Sequence, residues 1–175
     1  MHARTVRVVI AGAVAVVTVA LVGATSAGAA KKLNACTIVP QAKLETATGS
    51  TYTTPEDTSI GPVKASCRFP SESGDDLNLF LTNDVKGGIK DSIGSYFATK
   101  ESFQKIYGQA TPVNGAGKAA YTAFDGSSSL PQGSILVLDG KNHAALMVFT
   151  GDGVTADNVI EHGKAVAAIV LPKIK

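Results

Sequence analysis

The sequence predicts an α+β fold: an antiparallel sheet of about five strands with helices packed on it, including a C-terminal amphipathic helix. Three observations predict this fold. Short apolar runs separated by turn residues indicate strands. Two of these runs, residues 135–138 and 146–149, are apolar at every position, which is typical of central strands covered on both faces. After Thr155, apolar residues recur at helical spacing as far as Val170, and Pro172 ends the helix.

The N-terminal half of the chain predicts one short helix and two strands. Residues 40–48 form a helix, because proline is favoured in a first turn and Gly49 follows as a stop. The polar residues 50–62 are then a loop. Residues 63–69 and 77–82 are strands joined by a polar turn.

The C-terminal half predicts the remaining elements. A helical stretch runs from Gly87 to about Tyr107, with a break near Gly94 or Thr99. The strands 119–124, 134–138 and 143–150 follow. An Asp-Gly-Lys-Asn turn, residues 139–142, joins the last two as a hairpin.

The first 30 residues have the organisation of a secretory signal peptide. Two arginines, Arg4 and Arg7, precede a fifteen-residue apolar run from Val8 to Val22, and small residues lead to Ala29-Ala30. Cleavage after Ala29 or Ala30 leaves residues 31–175 as a single secreted α+β domain. The alternative is that the segment is retained as a membrane anchor.

The charge of the secreted part argues against nucleic acid as a partner. The full chain carries 16 Lys and Arg residues against 14 Asp and Glu residues, a formal net charge of +2. Because Arg4 and Arg7 leave with the signal peptide, the mature domain has no net charge. A neutral domain without a basic cluster lacks the field that attracts phosphate backbones.

The two cysteines, Cys36 and Cys67, predict a disulfide. In an oxidising compartment a lone pair this close in sequence is expected to be bonded. The alternative for Cys36 is acylation as a lipoprotein cysteine. Lys31-Lys32 separates Cys36 from the apolar run, however, and acylation would leave Cys67 without a partner. Membrane attachment is therefore expected only if the signal segment is uncleaved or Cys36 is lipidated.

No catalytic, metal or cofactor motif stands out in the sequence. Residues 114–119 resemble a phosphate-binding loop but lack its first glycine and its Ser or Thr. His143 and His162 are interpreted as solvated side chains. No nucleophile elbow, zinc-ligand set or EF-hand loop occurs. We therefore expect no cofactor, no bound metal and no enzymatic activity; a secreted hydrolase with an unrecognised site is the alternative.

A binding surface, if formed by loops, would use residues 50–62, 115–117 and 126–133. Tyr52 is the aromatic residue of the first loop and could either rim a binding surface or pack down into the core. The glycines of the second loop predict a tight turn with positive φ. The candidate binding-loop residues are Tyr52, Asn114, Gly115, Gly117 and Lys118. The expected ligand is an unidentified envelope or extracellular protein or a small molecule.

The order of short motifs resembles a known group of proteins. Ala35-Cys36 enters a helix that begins with proline, Cys67-Arg68-Phe69 follows, and residues 112–120 precede a hairpin and a final helix. This pattern resembles actinobacterial secreted proteins and lipoproteins of unknown function built on a two-cysteine α+β domain. It is also similar to the extracellular sensor domains of some actinobacterial kinases. The resemblance implies a fold, a disulfide and an envelope location, and it implies no catalytic residue.

Overall fold

The computed structural model describes residues 33–59, 65–82, 99–140 and 143–174. The signal peptide predicted for residues 1–30 lies outside this range. So do the first part of the helix predicted from Gly87 and two residues of the predicted 139–142 turn.

The described residues form an α+β fold with one antiparallel sheet. The strands are β1 (Glu56–Asp57), β2 (Ser66–Phe69), β3 (Asp76–Thr82), β4 (Thr111–Pro112), β5 (Ala119–Asp125), β6 (Gln132–Leu138) and β7 (Ala144–Thr150). Their order is β1-β2-β3-β7-β6-β5-β4. The expected count of about five strands was too low, because β1 and β4 are two-residue edge strands with no hydrophobic period to indicate them. The strands β6 and β7, which contain the apolar runs 135–138 and 146–149, lie in the interior of the sheet, as predicted.

Four α-helices accompany this sheet in the described ranges. They are α1 (Ala35–Ile38), α2 (Gln41–Thr48), α3 (Lys100–Tyr107) and α4 (Ala156–Val170), and a short 3-10 turn (Leu171–Lys173) follows α4. The start of α4 is capped reciprocally: the Thr155 hydroxyl accepts a hydrogen bond from the Asn158 amide, and the Asn158 side chain accepts one from the Thr155 amide. The single-turn helix α1 was not predicted, since four residues are too few to show a period.

The larger core lies between α4 and one face of the sheet, and two glycines set how closely they approach. Gly133 in β6 leaves space that Val159 of α4 fills, and an added Cβ on Gly133 would overlap the Val159 side chain. Gly163 of α4 leaves space for Ile135 of β6 in the same way. Each element therefore inserts a branched side chain over a glycine of the other, which fixes their relative position.

The smaller core lies on the opposite face of the sheet, beneath α3. Phe103 is fully buried there. Its neighbours in the cluster are β-strand residues, namely Ala123, Leu136, Ala144, Leu146 and Val148. Since Phe103 is the fully buried side chain of α3, this ring is the main apolar anchor of the helix on the sheet.

The predicted disulfide is confirmed. Cys36 in α1 is bonded to Cys67 in β2, with the two Cα atoms 5.1 Å apart. The Asn34 side chain begins α1 by accepting hydrogen bonds from the backbone amides of Cys36 and Thr37. At the other end of α1, the Lys173 ammonium donates to the carbonyl oxygen of Ile38 at 2.6 Å. A helix of one turn is thus held by a covalent bond and by caps at both ends.

Candidate functional site

Tyr52 belongs to the core and not to the rim of a binding surface. Its side chain is 3% exposed, and its ring meets the edge of Phe69 at a centroid distance of 6.1 Å. Its hydroxyl donates a hydrogen bond to Thr48 Oγ1 at 3.1 Å. Burial raises the pKa of this phenol. Of the two interpretations of Tyr52, the structure supports the buried one.

The loop containing Asn114, Gly115, Gly117 and Lys118 is a tight turn. Gly115 and Gly117 have φ values of 81° and 55°, which glycine adopts at little cost. A Cβ added to Gly117 would lie 2.5 Å from the carbonyl oxygen of Leu138. The same oxygen accepts a hydrogen bond from the Lys118 amide at 2.8 Å. The prediction of a structural turn is therefore supported, and the Lys118 backbone is part of it.

Residues 115–117 also line a surface groove of about 240 Å³ against α4. The polar side chains of this groove are those of Lys164 and Asp139. Asp139 already has an interaction partner within the protein. Asn114 and Lys118 are exposed, and neither is among the lining residues. The polar groups of this groove therefore do not indicate a particular ligand.

A second groove, of about 260 Å³, lies between the end of α3 and the strands β5 and β6. We call it the α3 groove. It is lined by Ile106, Tyr107, Ala123, Phe124, Asp125, Ser128, Gln132 and Ser134. The predicted binding loop 126–133 thus contributes to it through Ser128 and Gln132, whereas none of the five candidate binding-loop residues does.

The position of α3 over the strands follows from local interactions. Thr99 begins the helix by accepting a hydrogen bond from the Ser102 amide at 3.2 Å, and Gly108 ends it with a φ of 71°. Gln109 then donates from its side chain to the carbonyl oxygen of Phe124 at 2.7 Å. These contacts hold the C-terminal end of α3 against β5, where the groove forms.

The sheet register places the polar lining residues on one face. Ala123 pairs with Ser134, and Asp125 pairs with Gln132. Paired residues of adjacent antiparallel strands share a face, as do residues two apart along a strand. Ala123 belongs to the core beneath α3. Asp125, Gln132 and Ser134 therefore all lie on the face of the sheet that carries α3.

Ser134 is the unusual residue of the α3 groove. It is 1% exposed, and its Oγ atom makes no hydrogen bond of ordinary geometry within the described structure. Its carbonyl oxygen, in contrast, accepts a bond from the Thr122 hydroxyl at 3.0 Å. Tyr107 lines the same space, and burial raises the pKa of its phenol. A contact with the Ser134 hydroxyl lowers that pKa by less, and this contact lacks the geometry of a hydrogen bond. Leaving a buried hydroxyl unpaired lowers the free energy of unfolding by about 1–3 kcal/mol. The groove therefore contains a polar group whose hydrogen bonding is not satisfied.

Asp125 supplies the negative charge at the rim of the groove. Its Oδ1 atom accepts hydrogen bonds from the Ser127 hydroxyl at 2.7 Å and from the Ser127 amide at 2.9 Å. These two bonds lower the pKa of the carboxyl group. Asp125 is exposed and is therefore ionised at neutral pH.

We expect Ser134→Ala to leave the free energy of unfolding unchanged or to raise it by up to about 1 kcal/mol, because it removes an unpaired buried hydroxyl. Thr122→Val is the matched control. It removes a buried hydroxyl that is paired, and we expect it to lower the free energy by about 1 kcal/mol. Chemical denaturation measures both. If Ser134→Ala destabilises as much as Thr122→Val, the Ser134 hydroxyl has a partner within the protein.

His162 is less exposed than predicted. It is half-buried on α4, and its ring meets the edge of Phe149 at a centroid distance of 6.1 Å. Burial lowers the pKa of this imidazole, against a smaller raising effect of the Glu161 carboxylate. His143, directly before β7, is also partly buried. Neither histidine is among the residues that line the two grooves.

The lowered pKa of His162 predicts a loss of stability at acidic pH. The unfolded chain, with a histidine pKa of about 6.5, binds a proton more readily than the folded protein does. Stability is therefore retained above about pH 6.5 and falls as the pH decreases below that value. We expect the melting temperature of His162→Gln to fall less than that of the wild type between about pH 7.5 and pH 5.5. If the melting temperatures of the two proteins fall equally over this pH range, His162 is not the source of the acid sensitivity.

Within the ranges described, no group of three or more His, Cys, Asp or Glu residues could hold a metal ion. No helix in the same ranges is long and apolar enough to cross a membrane. Comparison with known proteins adds no family: no protein-family model, curated protein or solved structure matches this chain significantly.

Sequence analysis missed most of the groove because its residues come from three separate elements. Ile106 and Tyr107 belong to the helical stretch predicted to end at about Tyr107. Ser134 is the first residue of the predicted strand 134–138, and a serine directly before a fully apolar run is the signal that could have marked it. Such a residue needs a partner in the fold or in a ligand.

Proposed function

We propose that this protein is an extracellular, non-catalytic binding domain whose ligand occupies the α3 groove. The observation that carries the proposal is the buried, unpaired hydroxyl of Ser134 in the lining of that groove. Native proteins satisfy nearly all buried polar groups, and exceptions often mark functional sites. A ligand that hydrogen bonds to Ser134 would remove the cost of leaving it unpaired.

The lining of the α3 groove favours binding over hydrolysis. It contains serine hydroxyls and one carboxylate, but no histidine. Serine needs an adjacent base to act as a nucleophile. Asp125 lies diagonally across the strand pair from Ser134, and its Oδ1 atom is occupied by Ser127. The groove thus presents hydrogen-bonding groups without the pairing that covalent catalysis requires.

The extracellular location is supported by the disulfide and by the sequence of the first 30 residues. Disulfides persist in oxidising compartments. The resemblance to actinobacterial envelope proteins is in keeping with this location. We expect the secreted protein to begin at Ala30 or Lys31. Intact mass spectrometry tests this, and retention of residues 1–29 or a lipid on Cys36 would contradict it.

The binding function is tested by blocking the groove. A library of small fragments is screened by backbone-amide NMR against the wild type, Ser128→Trp and Ser73→Trp. Ser128 is an exposed lining residue, whereas Ser73 is an exposed serine in the β2–β3 turn outside the groove. We expect ligands to shift the amides of residues 128–134 in the wild type and in Ser73→Trp but not in Ser128→Trp. If no fragment shifts these amides, or if Ser128→Trp binds normally, the groove is not the site.

A further inference from the structure

We infer that the α3 groove recognises a neutral, polyhydroxylated ring of the size of one sugar unit. The inference rests on the proposed function, since it names the class of ligand for that same groove. Four properties of the groove carry it: its charge, its hydrogen-bonding groups, its apolar surface and its volume.

The charge of the groove disfavours anionic ligands. Asp125 is the ionisable residue of the lining that is charged at neutral pH, and the lining contains no Lys, Arg or His. Recognition of phosphate or carboxylate relies on cationic side chains or on a helix N-terminus. The groove meets the C-terminal end of α3, where the helix dipole is negative. The Asp125 charge and the dipole of α3 therefore both repel an anion.

The hydrogen-bonding groups match hydroxyls better than other polar groups. Ser134, Tyr107 and Ser128 present hydroxyls, and Gln132 presents an amide with both donors and an acceptor. The Ser128 hydroxyl donates to the carbonyl oxygen of Leu130, so it can only accept from a ligand. Asp125 in its ionised form accepts only. A ligand hydroxyl can donate and accept at once, so an array of them satisfies such a mixed set. An apolar side chain of a partner protein would leave Ser134 unpaired.

The apolar part of the lining suits the carbon face of a ring. The half-buried side chain of Tyr107 is aromatic, and Ile106 is 41% exposed at the edge. The ring of Phe124 is not part of this surface, because Phe124 pairs with Gly133 and packs against the core on the opposite face of the sheet. Aromatic faces carry partial negative charge and attract the weakly positive C–H bonds of a saturated ring. A sugar has both such a face and hydroxyls around its edge.

The volume limits the ligand to one ring. Pockets for drug-sized ligands measure about 300–1,000 Å³. The α3 groove, with about 260 Å³, lies below this range. A chain of several rings would therefore place one unit in the groove and the others outside it.

The test is an NMR titration with four probes of the full secreted domain: methyl α-D-mannopyranoside, N-acetyl-D-glucosamine, glucose 6-phosphate and cyclohexylmethanol. We expect at least one of the two neutral sugars to shift the amides of residues 128–134. Glucose 6-phosphate should bind more weakly, because it is anionic. Cyclohexylmethanol should bind more weakly too, because it has a ring of similar size but a single hydroxyl.

Variants test which atoms make the contacts. Ser134→Ala and Tyr107→Phe each remove one hydroxyl and keep the remaining side chain, so we expect each to weaken sugar binding about three- to tenfold. Ser73→Ala, outside the groove, should bind as the wild type does. Because Ser134→Ala is not expected to unfold the protein, lost binding reports the contact itself.

The outcomes separate this inference from the proposed function. Preferred binding of glucose 6-phosphate or of cyclohexylmethanol in the groove overturns the sugar assignment and leaves the binding function standing. Sugar binding that Ser134→Ala and Tyr107→Phe do not weaken also overturns it. If neither the probes nor the fragment library shifts the amides of residues 128–134, both the inference and the proposed function are wrong.

Discussion

Removing the disulfide is expected to lower the free energy of unfolding by about 4 kcal/mol. The bond between Cys36 and Cys67 closes a loop with a sequence separation of 31 residues. Cross-linking a loop of that length removes this much conformational entropy from the unfolded chain on the chain-entropy model. We expect the loss in a variant with both cysteines replaced by alanine, measured by chemical denaturation at constant pH.

A reductant provides the control for the disulfide prediction. Reducing the wild type should lower its stability to about that of the double alanine variant, and the same reductant should leave that variant unchanged. Alkylation without reductant should label neither Cys36 nor Cys67, because the structure has no free cysteine in its described part. Equal stability of oxidised and reduced wild type would show that α1 is held by its other contacts, such as the bond from Lys173 to Ile38.

The second large effect is expected for Phe103→Ala, which should lower the free energy of unfolding by about 3–5 kcal/mol. Phe103 is fully buried between α3 and the sheet. Its truncation removes the main apolar anchor of α3, so the wall of the α3 groove formed by Ile106 and Tyr107 should detach. Hydrogen exchange at the α3 amides measures the detachment, and fragment binding should be lost with it.

Gln104→Ala is the matched control for Phe103→Ala. Gln104 is its exposed neighbour on the same helix, and we expect a change within about 0.5 kcal/mol. If Phe103→Ala leaves α3 protected from exchange, contacts other than the Phe103 ring hold the helix. In that case the groove should keep its ligand.

The elements predicted well from the sequence are those with a complete local pattern. Strand β3 has leucine at every second position, and helix α4 has a cap, a stripe and a proline stop within one segment. The interior position of β6 and β7 followed from their apolar residues on both faces. Such patterns need no knowledge of distant parts of the chain.

The elements missed were those defined by their partners. The strands β1 and β4 have two residues each and exist because β2 and β5 offer hydrogen bonds to them. Tyr52 lies in a polar segment, and only the fold brings it to Thr48 and Phe69. The α3 groove likewise depends on a helix reaching a strand pair, which no local spacing encodes.

The fit between β6 and α4 has a consequence for how this sequence can change. Because Val159 occupies the space over Gly133, and Ile135 the space over Gly163, the two members of each pair cannot vary independently. Gly133→Ala alone should be poorly tolerated, yet the same change together with Val159→Ala should recover part of the lost stability. This is non-additivity between residues in contact. Homologues that keep this packing should therefore exchange small and large residues between the strand and the helix in pairs, a covariation that would identify them even where overall identity is low.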